Sequence, residues 1–119
     1  TLSLLSTDGL PVFNGRDEVL AAGLLMGAAG GIGSTYNLAP EWFVEIFSLA
    51  RSGRWAEARA LQDRVNRMVR LLLRFPLVPA LKRVLTWKGI DCGVAVRPRR
   101  PLTPAEDSEL RAGIERLLP

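Results

Sequence analysis

At 119 residues the chain is one small domain in length, too short for a complete (β/α)8 barrel of about 250 residues, and its 48% apolar and 24% charged residues are those of a globular chain. It has no histidine, which excludes a Ser-His-Asp or Cys-His centre and any His-ligated metal within these residues, and its single cysteine, Cys92, excludes an internal disulfide and fits a reducing compartment. The net charge of +4 is unevenly placed: residues 1–50 carry one basic side chain against five acids, whereas residues 51–119 carry fifteen against seven, and only Lys82 and Lys88 among the cations are lysine. The chain opens on Thr1 rather than Met and reads as a piece of something longer.

Leu10 to Asn14 is short, apolar and β-favouring, and Gly15 ends it, so a buried strand is expected there. Asp17 stands where a helix N-cap would, and Val19, Leu20, Gly23, Leu24 and Gly27 keep a helical spacing to about residue 28, with small residues where a close neighbour would press. Residues 29–35 hold the position of a second strand but carry so many glycines that backbone or ligand must hem them in. Strand, helix and strand in this space make a βαβ unit with a parallel pair. The uncharged run Val19 to Pro40 is not read as a membrane span, because its strongly apolar part ends at Ile32 and five glycines interrupt it.

From residue 40 the pattern is helical. Pro40 opens a helix carrying Trp42, Phe43, Ile46, Phe47 and Ala50, and Gly53 is placed to end it. The next, Trp55 to Phe75, sets Leu61, Val65, Met68 and Leu72 on one face and Arg59, Arg67, Arg70 and Arg74 on the other, with Pro76 as its stop. A third helix begins at Pro79 and closes at Gly89, an extended loop runs through the prolines of residues 97–101, and Thr103 with Glu106 forms the capping box of a last helix to about Leu118. Two parallel strands cannot cover their own faces and edges, so these elements read as the end of a larger α/β fold.

Three constellations could carry chemistry. Gly15-Arg16-Asp17-Glu18 follows a strand at the end where ligands arrive in parallel α/β folds; its carboxylates could accept hydrogen bonds from sugar hydroxyls, or Asp17 could merely cap the helix and Glu18 complement its dipole. Gly30 to Asn37 could cradle an anion on backbone N–H groups or simply pack tightly, and it is neither a dinucleotide fingerprint nor a P-loop. The arginine face lacks the aromatics or reading helix that nucleic-acid binding would need, so neither nucleic acid nor a membrane is an expected partner. Cys92, with no histidine or second cysteine to activate it, is expected to be buried and inert, and Lys82 and Lys88 to be surface residues.

At Val12-Phe13-Asn14-Gly15-x-Asp17-Glu18, with Gly33-Ser34-Thr35-Tyr36-Asn37 beyond it, the chain resembles the N-acetylneuraminate lyase and dihydrodipicolinate synthase superfamily. Leu61-Gln62, Asn66, Ala80-Leu81-Lys82, Gly89 and Arg97-x-x-Arg100-Pro101-Leu102 carry the resemblance through the rest of the chain, and the pair of glycine motifs looks like the sialic acid lyase branch. The resemblance implies the C-terminal portion of a (β/α)8 TIM barrel. Residues 1–53 would be its last two β/α units, with strand seven at about 10–14 and strand eight at about 30–34, and residues 54–119 a C-terminal helical domain, so the chain alone would be mostly helical. It also implies a pyruvate-dependent class I aldolase, without cofactor or metal, that reversibly cleaves a 2-keto sugar acid such as N-acetylneuraminate to pyruvate and an aldehyde sugar. The Schiff-base lysine, the proton-shuttling tyrosine and the carboxylate-holding turn would all lie upstream of Thr1. No catalytic residue would fall in this chain. Its expected substrate-binding residues are Gly15, Asp17, Glu18, Gly33 and Ser34, with the Ile32 backbone near the pyruvate carboxylate; Arg16 departs from the aromatic or aliphatic residue usual there. A cytoplasmic homotetramer completed by the N-terminal barrel segment is the implied assembly, and alone the chain would be inactive. The alternative is a non-catalytic helical scaffold whose arginine face docks an acidic partner.

Overall fold

The computed structural model describes residues 9–118, in the order β1 (Phe13–Asn14), a 3-10 turn (Asp17–Val19), α1 (Leu20–Leu25), β2 (Gly30–Gly31), a second 3-10 turn (Ser34–Asn37), α2 (Pro40–Arg51), α3 (Trp55–Leu72), α4 (Leu77–Trp87) and α5 (Pro104–Leu117). The chain divides between Asn66 and Arg67 into two compact units, a division that falls within α3.

In the first unit β1 and β2 pair in parallel, Phe13 opposite Gly30 and Asn14 opposite Gly31. Backbone bonds from Ala29 N–H to the Val12 carbonyl (2.8 Å) and from Ile32 N–H to the Asn14 carbonyl (2.9 Å) extend the ladder by a residue at each end. The strands are thus shorter than the expected 10–14 and 30–34, because at β2 the chain turns away into Ser34–Asn37 as soon as the ladder ends. The parallel βαβ unit itself is present. Gly23 is where α1 presses on β1: a Cβ there would lie 2.8 Å from the Asn14 Oδ1. Gly27, at φ +96°, lets the chain leave α1 through a backbone conformation that L side chains rarely adopt.

Helix α2 starts on Pro40, whose missing N–H costs nothing in the first turn, and ends where Gly53 takes φ +72°. It buries Trp42, Phe43, Ile46, Leu49 and Ala50 with Leu20, Leu38, Ala58 and Val65, and the Arg64 guanidinium stands 4.3 Å over the Trp42 ring. Each large side chain so enclosed stabilises the unit by about 1.5–3 kcal/mol relative to exposure. Among the described residues one side remains open. Phe13 (50% exposed), Val44 (67%) and Phe47 line a hollow of about 370 Å3 together with Leu20, Tyr36 and Phe43.

In the second unit Met68, Val69, Leu72, Phe75, Ala80, Leu81, Val84, Leu110 and Ile114 form the core. Helix α3 ends at Leu72 and the chain turns through residues 73–75, short of the expected Phe75, since the residues before Pro76 are pushed out of helical geometry. Helix α4 begins at Leu77, two residues before Pro79, which sits harmlessly in its first turn and is buried. Gly89, at φ +87°, follows its end. The capping box of α5 is formed on both sides: Glu106 N–H donates to Thr103 Oγ1 (3.2 Å), and Thr103 N–H donates to Glu106 Oε2 (2.8 Å). Arg83 joins α4 to Asp107 of α5 through Nε (2.5 Å) and its terminal nitrogen (3.0 Å), and Arg74 pairs with Glu109.

Two expectations are corrected here. Cys92 is exposed, not buried, because it lies in the irregular stretch that follows α4, most of whose side chains face outward. On α3 the position facing the core beside Ala58 and Val65 is occupied by Gln62, while Leu61 is only half-buried. The arginine face keeps Arg59, Arg67, Arg70 and Arg74 exposed, and no helix among the described residues is long and apolar enough to cross a membrane.

Candidate functional site

The two 3-10 turns follow the carboxyl ends of β1 and β2, so the parallel pairing of two short strands sets both loops side by side. Asp17 joins them. Only 8% exposed, it accepts through Oδ2 from the Thr35 N–H (3.0 Å) and the Thr35 hydroxyl (2.5 Å), itself buried. The expected N-cap role is therefore corrected: Arg16 occupies the cap position, no side-chain cap bond forms, and the Asp17 carboxylate reaches across to the other loop. Its second oxygen, Oδ1, takes no hydrogen bond from the described residues and abuts Gly33. A Cβ at Gly33 would collide with that carboxylate and lie 2.6 Å from Cε1 of Tyr36, so glycine is required by space alone. Gly31 is confined in the same way, between the Tyr36 hydroxyl and the Leu20 Cδ1.

Of the remaining expected residues, Gly15 is exposed with open space at its α-carbon, Ser34 is exposed, and Ile32 is 69% exposed while its N–H extends the ladder. Glu18 is half-buried and lines a different hollow, of about 280 Å3, with Leu25, Trp55, Arg59 and Gln62. Asp17, Gly33 and Thr35 are thus drawn into one contact, whereas Gly15 and Ser34 stand at its open rim.

Several residues that support this site were not singled out for a role by sequence. Tyr36 stacks on Phe43 with ring centroids 3.9 Å apart, and its buried hydroxyl finds no hydrogen-bond partner among the described residues. Burial pushes the phenol up to about 12, the nearby Asp17 charge adds to the rise, and the Asn14 side chain partly opposes it. Asn14 also donates through Nδ2 to the Arg16 carbonyl (2.6 Å), fixing the turn that leads to Asp17. From α3, Gln62 accepts from the Ala21 N–H through Oε1 (2.9 Å) and donates through Nε2 to the Asp17 carbonyl (2.9 Å) and to Asn66 Oδ1 (3.0 Å), while Asn66 Nδ2 donates to the Glu18 carbonyl (3.1 Å). The signal for Gln62 was a polar residue at a core-spaced position of an amphipathic helix. Among the described residues no three His, Cys, Asp or Glu side chains cluster to hold a metal.

Residues 2–118 match the dihydrodipicolinate synthetase family. The chain belongs to that family. An N-acetylneuraminate lyase of Rhizobium meliloti (strain 1021) is 38% identical over 107 residues, which is 90% of this chain and 36% of that protein. Another, of Salmonella agona (strain SL483), is 39% identical over 103 residues, 87% of this chain and 34% of that protein. The crystal structure of the Fusobacterium nucleatum N-acetylneuraminate lyase complexed with pyruvate superposes with a TM-score of 0.85 at 28% identity, covering 92% of this chain and 37% of that one. The chain therefore spans about a third of the length of the relatives it matches. Its elements are a mostly helical part of the family's fold.

Proposed function

We propose that the chain is the C-terminal part of a pyruvate-dependent class I aldolase that reversibly cleaves a 2-keto sugar acid to pyruvate and an aldehyde sugar, with N-acetylneuraminate as the nearest substrate type. The observation that carries this reading is the Asp17–Thr35 junction, which brings the loops after two parallel strands together at the carboxyl end of a sheet, where ligands of parallel α/β folds sit. Family membership and relatives named as lyases support the reaction class.

In this reading β1 and β2 are the seventh and eighth barrel strands, residues 1–53 the last two β/α units and residues 54–119 the helical domain. The imine between pyruvate and a lysine forms on residues upstream. This chain's share is recognition: Asp17 Oδ1 and the Glu18 carboxylate accept from sugar hydroxyls, and the Ser34 hydroxyl adds a donor. Gly15 and Gly33 admit the substrate close to the backbone, and the Ile32 backbone lies near the pyruvate carboxylate. Each acceptor disfavours an analogue lacking the hydroxyl it binds, because a carboxylate left unpaired on closure is costly. The complete enzyme would work as a cytoplasmic homotetramer without cofactor.

The test is made on the complete protein with Asp17→Ala and Glu18→Ala. Each is expected to lower kcat/KM for N-acetylneuraminate by about tenfold or more, one charge-assisted hydrogen bond being worth about 1.5–3 kcal/mol. Borohydride trapping of a pyruvate adduct, read by intact mass, should be unchanged. Loss of trapping in the Glu18 variant would overturn the assignment of this residue to the sugar end.

A further inference from the structure

The turn that carries Asp17 and Glu18 contains a break in helical hydrogen bonding, and the break has an occupant. Residues 17–19 form a 3-10 turn closed by the Val19 N–H on the Arg16 carbonyl (3.2 Å), and the α-helix starts only at Leu20, after Val19 at φ −132° and ψ 27°. In an unbroken α-helix the Ala21 N–H would donate to the Asp17 carbonyl four residues back. Here both groups bond instead to one side chain: Gln62 accepts from the Ala21 N–H through Oε1 and donates to the Asp17 carbonyl through Nε2, each at 2.9 Å. The amide of Gln62 stands in the place of one helical hydrogen bond. Its orientation is fixed, since Nε2 also donates to Asn66 Oδ1 (3.0 Å), and Asn66, one helical turn along α3, donates in turn to the Glu18 carbonyl (3.1 Å). Consecutive carbonyls of the two acids are thus held by two side-chain amides one turn apart on α3, all within one compact unit.

We propose that Gln62 and Asn66 are positioning residues that wedge this turn open and so set the selectivity for the hydroxylated end of the substrate. The inference rests on the reading of Asp17 and Glu18 as sugar contacts. Remove the wedge, and the Asp17 carbonyl and Ala21 N–H are left buried or half-buried without partners. The low-cost repair is to close the turn into α-helix, which rotates both acids: Asp17 leaves Thr35 and Glu18 leaves its hollow. Because neither amide side chain reaches the reacting carbon in this reading, imine formation need not change. A residue that only stabilised the fold would depress every substrate alike.

The experiment compares Gln62→Met, which keeps the volume but neither amide group, and Asn66→Ala with Glu18→Ala in the complete protein. Each is assayed on N-acetylneuraminate and on 4-hydroxy-2-oxobutanoate, a 2-keto acid with no polyol tail, alongside borohydride trapping of pyruvate. The expected result is a rise in KM for the long substrate of about tenfold with Gln62→Met and severalfold with Asn66→Ala, with the short substrate and trapping within about twofold of the parent. If both wedge variants lower both substrates equally, or neither, while Glu18→Ala still discriminates, the wedge is overturned and the recognition reading stands. If Glu18→Ala does not discriminate either, the recognition reading fails and the wedge falls with it. Should Gln62→Met fail to fold, Asn66→Ala, at a half-buried position, decides alone by the same comparison.

Discussion

Tyr36 is the one tyrosine of the chain, and its environment makes it a reporter of the junction between the two loops. A phenol whose oxygen is buried with no hydrogen-bond partner of good geometry among the described residues resists ionisation, and the Asp17 carboxylate nearby adds repulsion that the Asn14 side chain only partly offsets, so the folded protein holds the proton up to about pH 12 against the ordinary value of 10.0. Between pH 10 and 12 the folded chain then binds more protons than the unfolded one, and stability falls with rising pH across that window. Absorbance titration of phenolate in the 119-residue chain should show ionisation displaced upward, and Asp17→Asn should bring it part of the way back. A titration centred at 10 in the folded protein would mean that the hydroxyl is solvated. Removing the hydroxyl in Tyr36→Phe should leave stability unchanged or slightly raised, since an orphaned polar atom is lost along with it.

At the scale of the element, α5 shows how local chemistry fixes an end. Thr103 caps the helix, Arg100 grips Glu106 through two bonds of 2.8 Å, and the Glu106 carboxylate also accepts from the Thr103 N–H, which together hold its carboxyl down to about 2 from the ordinary 4.5. The stabilisation is complete above pH 4.5 and is lost as pH falls through about 2, where the unfolded chain no longer binds more protons than the folded one. Thr103→Ala should cost about 1 kcal/mol in a urea unfolding curve at neutral pH, and Glu106→Gln should flatten the acid limb of the stability profile. This cap was fully legible as Thr103-x-x-Glu106, because a capping box is a local pattern with a local cause. So were Pro40, Gly53 and Gly89 at helix ends, and the small residue at Gly23, which meets Asn14. The N-cap placement of Asp17 fails for the converse reason. Its partner Thr35 is 18 residues away, and a carboxylate at a strand-to-helix turn looks the same whether it caps its own helix or bonds the next loop. Gln62 was hidden likewise: its three partners were invisible without the fold, although its place on a core stripe marked it as a buried amide needing them.

At the scale of the whole molecule, the question is whether these residues can perform chemistry on their own. A class I aldolase needs an amine that is neutral for part of the time and open to a carbonyl. Lys82 is not open to a carbonyl substrate: its Nζ donates to the Cys92 carbonyl (2.6 Å) and the Val94 carbonyl (3.2 Å), tying residues 92–94 back to α4. An amine engaged by two carbonyls must break both bonds before it can attack a third. Lys88 is exposed just past the end of α4, in the second compact unit. Among the described residues, the apolar side chains of Phe13, Val44 and Phe47 line a hollow beside the β1–β2 pair, which on the proposed reading is where the sheet continues. If the proposed reading holds, the 119-residue chain incubated with pyruvate and borohydride should keep its own intact mass, while the complete protein should gain one reduced adduct on a residue outside these 119. An adduct on Lys82 would require the loop of residues 92–94 to be free in solution, and would put the chemistry, not only the recognition, within this chain.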